Sequence, residues 1–210
     1  MNFLILGIII FFSIHLIPIL PIKASLIDKL GKNKYKGLFS LISLIGLLTI
    51  IYGFNHADIY LVWNSVTYSK EIALALMPIS TILLAAANMQ TNIKRILKHP
   101  MLIGIIIWSF VHLLANGDLR SIILFASFGL YSLINIIFSK KNSTTNEINN
   151  YSSIKDFIAV VIGLIAYMLI ILFHNHIAGV AIMFSFTYSV ILYSIMFYSI
   201  LFYSDRKSVV

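Results

Sequence analysis

Long apolar runs without internal charge recur along the whole chain, and nothing else in the sequence restricts its fold so severely. They are Asn2–Ile22, Gly37–Phe54, Glu71–Asn88, Met101–Ala115, Leu119–Phe138, Phe157–Phe173 and Ala178–Phe202. A helix needs about 20 mostly apolar residues to cross a hydrocarbon core about 30 Å thick. Strands of a membrane barrel instead alternate in segments of about ten residues, a pattern absent from this sequence. A soluble chain must hydrate its surface with about 25% charged residues. Here only 10% are charged, 60% are hydrophobic and the mean hydropathy is +0.98 over 210 residues. The expected fold is therefore all-α, a polytopic transmembrane bundle of about seven spans with no room for a separate soluble domain. The first run lacks a basic leader and is long for a signal peptide, so it is read as a retained helix.

Placement of the basic residues gives an orientation. Of 15 Lys and Arg residues, 13 fall in alternate connections: five in Lys23–Lys36, three in Gln90–His99, three in Ser139–Lys155 and two after Phe202. Only Lys70 and Arg120 fall on the other side. The positive-inside rule then puts the N-terminus outside and the C-terminus in the cytoplasm, which requires an odd number of spans. The same distribution explains the net charge of +8 without nucleic acid. Two basic connections look like short interfacial helices. One has Leu26, Ile27 and Leu30 on an apolar face, with Ser25 to Asp28 spaced as a capping box and Gly31 as its stop. The other has Ile93, Ile96 and Leu97 on one side, away from Lys94, Arg95 and Lys98. The polar stretch Asn142–Ser153 reads as a linker.

With no cysteine, disulfides, iron–sulfur clusters, thiolate zinc and covalent c-type haem are excluded, and any metal must be held by histidine or oxygen. No Asp, Glu, Lys or Arg lies well inside a span; Glu71, Asp118 and Asp156 are at ends. That argues against ion-coupled transport through buried acids and against voltage sensing. It also argues against a retinal protein, since the last span has no lysine.

Histidine remains as the chemistry-bearing residue. His56, His174 and His176 fall at interfaces, where hydration suffices. His99, just before Pro100, either caps a helix near headgroups or faces a ligand from the cytoplasmic edge. His15 and His112 lie inside spans, where an ionisable group must find a partner, either a ligand or a backbone carbonyl. Around His112, helical spacing gathers Trp108, Ser109, Ala115 and Asn116 on one face, suited to lining a pocket. His99 is about 20 Å from His112 along the helix and turned away, so the two cannot share a metal. Phe11, Phe12 and Pro18 flank His15. Asn116-Gly117-Asp118 reads as a tight hairpin with Gly117 in the left-handed position and Asp118 capping the next helix.

Several segments resemble the NnrU membrane protein family. They are Gly31-Lys-Asn-Lys-Tyr-Lys-Gly-Leu-Phe-Ser-Leu-Ile-Ser-Leu, Lys98-His-Pro-Met-Leu-Ile-Gly, Trp108-Ser-Phe-Val-His-Leu-Leu-Ala-Asn-Gly-Asp and Asp156-Phe-Ile-Ala-Val-Val-Ile-Gly-Leu. His15 followed by Pro18-Ile-Leu-Pro21 is similar to the family's first helix. The resemblance covers about residues 1–180. Residues 181–210, with Tyr-Ser recurring at Tyr188, Tyr193, Tyr198 and Tyr203, depart from it as an additional low-complexity span and short basic tail.

The resemblance implies a link to nitric oxide metabolism and denitrification. It also implies a more distant similarity to the haem-dependent 15-cis-zeta-carotene isomerases. By that similarity His15 and His112 would be axial ligands of one non-covalent haem b, beside Trp108, Ser109 and Asn116, with His99 a weaker metal candidate. Their depths differ by about 10 Å along their helices, which demands tilt or an oblique macrocycle. The alternatives are a haem-dependent isomerase of a lipophilic polyene and a non-haem scaffold or assembly factor. Expected partners are the lipid bilayer and a lipophilic substrate or membrane redox partner, not nucleic acid, in the cytoplasmic membrane.

Overall fold

The computed structural model describes residues 1–139 and 151–178, and among them the regular structure is helical apart from one isolated bridge between Leu61 and Asp118. The helices are α1 (Asn2–Leu16), α2 (Ile22–Leu30), α3 (Lys32–Asn55), α4 (Ser69–Ala87), α5 (Asn92–Leu97), α6 (Pro100–Ala115), α7 (Leu119–Phe138) and α8 (Ser153–Ala178). Five segments are long and apolar enough to cross a membrane: Asn2–Ile19, Lys32–Asn55, Ser69–Ala87, Leu119–Phe138 and Ser153–His176. Helix α6 is apolar but shorter, at 16 residues. The expected span Ala178–Phe202 lies outside the described residues save for Ala178. Met1–Gly163 form one compact unit and a second begins at Leu164 within α8; the packing below is that of the first.

Proline decides where the first helix stops. The expected single run Asn2–Ile22 is broken after Leu16 by a 3₁₀ turn over Ile17–Ile19, and Pro21 stands at the N-cap of α2. Neither Pro18, inside that turn, nor Pro21 has an N–H to continue the helical ladder. The expected capping box at Ser25 is absent: α2 already starts at Ile22, which puts Ser25 inside the helix with its neighbours' amides paired. Gly31 does end α2, with φ of 78°, and α3 starts immediately, so Gly37 lies within a helix rather than before one.

Small residues set the first helix pair. Gly53, Ile50 and Gly46 on α3 meet Leu4, Gly7 and Phe11 on α1 in reverse order, so the two helices run antiparallel. A Cβ on Gly46 would stand 2.8 Å from the Phe11 backbone nitrogen, and one on Gly53 would overlap the Leu4 backbone. With no hydrophobic force between helices in lipid, this backbone approach is the source of their attraction. In a second set, the Ser80 hydroxyl of α4 donates to the Gly104 carbonyl of α6 at 2.8 Å, and Ser109 of α6 packs on Gly129 of α7. Gly163 of α8 lies against Ile82 of α4.

At the end where α3 stops and α4 starts, the loop through residues 57–68 is tied to the α6–α7 hairpin. Val62 and Trp63 donate their amides to the Gly117 carbonyl at 2.8 and 3.2 Å, Val66 donates to Leu114 at 2.9 Å, and Leu119 donates to Tyr60 at 2.8 Å. The expected left-handed Gly117 is not found; glycine is required there because a Cβ would overlap the Trp63 carbonyl. Asp118 does cap α7, accepting from the Ser121 amide at 3.1 Å and hydroxyl at 2.7 Å. Arg120 pairs with Asp118 at 3.4 Å, donates to the Phe54 carbonyl at 3.1 Å and lies over the Phe54 ring.

At the opposite, basic end, Asp156 of α8 accepts from the Asn92 side chain at 2.6 Å and the Ile93 amide at 3.1 Å, while Thr91 caps α5.

The Gly53→Leu substitution is expected to force α1 from α3 and to lower stability by about 1–3 kcal/mol. Gly37→Leu, where an added Cβ meets nothing, is expected to leave the thermal unfolding temperature in detergent unchanged. Equal melting of the two variants would contradict the proposed closeness of the helices.

Candidate functional site: an aromatic seam between two histidines

Helix α7 touches both α1 and α6, and the two histidines expected inside spans lie along it. On α1, the His15 Nδ1 is 2.7 Å from the Phe11 carbonyl. A carbonyl can only accept, so Nδ1 carries the proton and Nε2 is the basic nitrogen of the neutral ring. The same arrangement recurs on α6, where the His112 Nδ1 lies 2.8 Å from the Trp108 carbonyl. Both side chains are half-buried. His56 also bonds back, to the Tyr52 carbonyl at 2.9 Å, but at the exposed end of α3. The backbone bond is therefore not what distinguishes the inner pair; their shared surroundings are.

Those surroundings are aromatic. His15 stacks on Phe11 with centroids 4.1 Å apart and meets the edges of Phe39 and Tyr131 at 5.2 and 6.2 Å. His112 stacks on Phe125 at 4.6 Å and lies 5.2 Å from Trp108. A continuous line of rings joins the two: Phe11 to Phe128 is 5.6 Å and Phe128 to Trp108 is 5.6 Å. Phe12 closes the side of this line against Phe128 and Tyr131.

Helix α7 also serves as a ruler for depth. His112 sits at the level of Phe125, whereas the Tyr131 hydroxyl donates to the His15 carbonyl at 3.0 Å. Six residues of α7 separate these levels, about 9 Å at 1.5 Å per residue. The two imidazoles thus face one seam from different depths, with the Phe128 ring between their levels.

The remaining candidates fall out as follows. Trp108 belongs to the seam itself. Ser109 is 2% exposed and packs on Gly129, and its hydroxyl has no hydrogen-bond partner among the described residues. Asn116 donates its side-chain amide to the His112 carbonyl at 3.0 Å, closing the last turn of α6. His99 lies at the other end of α6, its Nε2 hydrogen-bonded to the Ser139 hydroxyl at 3.0 Å, where it ties α6 to the end of α7. Among the described residues no three His, Asp or Glu side chains converge on a metal position. His174 and His176 lie in the last turns of α8, beyond the unit that holds the seam.

Sequence reasoning missed the contribution of α7: Phe125, Phe128 and Tyr131. Their spacing of three was visible, yet aromatic residues at such spacing also face lipid, and nothing local shows that one helix meets both histidines.

The donor set suits a bis-histidine cofactor in one respect. Both imidazoles have Nδ1 committed to a carbonyl, the tautomer in which Nε2 is the nitrogen that can coordinate a metal. The seam around them is flat-faced and carries no formal charge.

Neither the curated proteins nor the solved structures contain a match to this chain. The family model described as NnrU protein matches residues 3–182, which run from the second residue of α1 past the end of α8. The seam, its two histidines and the helices that carry them therefore belong to a member of the NnrU family.

Proposed function

We propose that this chain is a multi-pass protein of the cytoplasmic membrane, seven spans with the N-terminus outside, that binds haem b through His15 and His112. Its place in nitric oxide and denitrification metabolism is the reading that the family resemblance carries. The observation behind the haem reading is the pair of back-bonded imidazoles, one on α1 and one on α6, on one aromatic seam. Haem b would supply an iron centre able to change oxidation state or bind a small ligand. The protein's own part is to hold each Nδ1 proton on a carbonyl, to flank the ligands with Phe11, Phe125 and Trp108, and to keep water out. Because the seam carries no formal charge, a lipophilic partner, whether a polyene to be isomerised or a membrane redox carrier, suits it better than an ionic substrate.

A second reading is favoured by the filled ring contacts. Phe128 occupies the level between the histidines, and each imidazole already stacks on a phenylalanine. In that reading the histidines only knit α1, α6 and α7 together, and the protein is a scaffold or assembly factor.

Spectroscopy separates the two. Purified protein supplemented with haem b is expected to show a Soret band that shifts or weakens in His15→Ala and in His112→Ala, but not in His56→Ala. A missing band, or an unchanged spectrum in His112→Ala, would overturn ligation by this pair. The scaffold reading instead expects no band and a lowered melting temperature for both seam variants.

Ser109→Ala provides an independent check. Removal of a buried hydroxyl that has no partner among the described residues is expected to be neutral or slightly stabilising in the cofactor-free protein, whereas Ser80→Ala, which loses a made hydrogen bond, is expected to cost about 1 kcal/mol. Paired thermal melts would show the difference.

A further inference from the structure

The loop between α3 and α4 behaves unlike an aqueous connection. Residues 57–68 contain one charged side chain, Asp58, and carry Ile59, Tyr60, Leu61, Val62, Trp63, Val66 and Tyr68. Most are turned outward: Ile59 is 66% exposed, Leu61 68% and Tyr68 72%. Yet the loop's backbone is fixed by the amide and carbonyl bonds it exchanges with the α6–α7 hairpin.

The length of α6 gives this arrangement a reason. Its 16 residues span about 24 Å, short of a hydrocarbon core about 30 Å thick. At its starting end His99 is level with the last turn of α7, to which it is hydrogen-bonded. The shortfall therefore falls at Leu113–Gly117, where the helix's final carbonyls would meet lipid rather than water. A lipid-exposed carbonyl without a partner costs several kcal/mol, so irregular backbone at that depth must find its bonds within the protein. The loop supplies them: the Trp63 indole donates to the Leu113 carbonyl at 3.3 Å, Val66 donates to Leu114, and Val62 and Trp63 donate to Gly117.

We propose that residues 57–68 form a re-entrant loop that enters one leaflet of the bilayer, completes the α6 end, and presents Ile59, Leu61 and Val62 to lipid. The occupant of this apolar surface is lipid at the boundary between acyl chains and headgroups. Tyr60, Trp63 and Tyr68 are the amphipathic rings that prefer that depth, and there the loop amides that do not bond to the hairpin still reach headgroup water.

The chain has no native cysteine, so single nitroxide labels can be placed without background. Labels at Leu61→Cys and, separately, Ile59→Cys in proteoliposomes would be compared with Leu48→Cys on the lipid-facing side of α3 and Asn33→Cys at the exposed basic end. The expected result is a collision rate with oxygen that exceeds the rate with a water-soluble nickel chelate severalfold, as at Leu48. A nickel-accessible label resembling Asn33 would overturn the proposal by placing the loop in water. A label shielded from both agents would overturn it by placing a protein partner, such as a second copy, over the loop. The two positions are both on the surface, so a folding defect in one variant leaves the other to decide.

Discussion

Every helix end near an apolar slab leaves backbone groups that water cannot reach, and this molecule is organised around satisfying them. Its few inner charges are all at such ends. Asp118 holds the start of α7, Arg120 reaches the last carbonyl region of α3 at Phe54, and Asp156 receives the first amides of α5. Neutral groups do the same beside them: Thr91 at α5, Asn116 at the end of α6, and Ser139 joined to His99 between α6 and α7. The scarcity of acids and lysines inside the bundle and their presence at its rims are thus one fact.

Between the rims, two kinds of packing divide the work. Glycine lets α1 and α3 approach backbone to backbone, and hydroxyl and glycine contacts join α4 to α6 and α6 to α7. Such contacts fix distance and register but carry little chemistry. The α1–α7–α6 seam is different: it is built from rings, and rings tolerate a range of tilts because their edge-to-face contacts are shallow in energy. The histidines are placed in this more adaptable part of the bundle, each held by a short bond to its own helix.

Much of this was legible in the sequence where the signal is local. Leu119–Phe138 is an uninterrupted apolar run behind an Asp N-cap, and the helix has those limits. The helical segments at the two basic connections were likewise readable from the spacing of Leu26, Ile27 and Leu30 and of Ile93, Ile96 and Leu97. Misreadings arose where a long-range contact overrides a local preference. Gly117 looks like a left-handed helix stop, but its constraint is the Trp63 carbonyl, which arrives from 54 positions earlier in the chain. Ser25 and Asp28 have capping-box spacing, yet Pro21 starts the helix one turn earlier. Hydropathy also places residues 57–68 simply between spans, because a sliding average says nothing about which carbonyls a loop will meet. The histidine pair was legible as residues and not as a place, since no local pattern shows which helices meet.

The seam has a consequence for how the protein is made. His15 is on α1, whereas Tyr131, which donates to its carbonyl, follows 116 residues later in synthesis. The α1–α3 pair can close early through its glycines, and α6 can fold back on α7 through their short hairpin. His15 and His112, however, become neighbours on one surface only once α7 has docked against α1. Chains synthesised only as far as α6 therefore lack the paired site altogether, so it forms only after α7 has been made and docked, while α8 is still to follow.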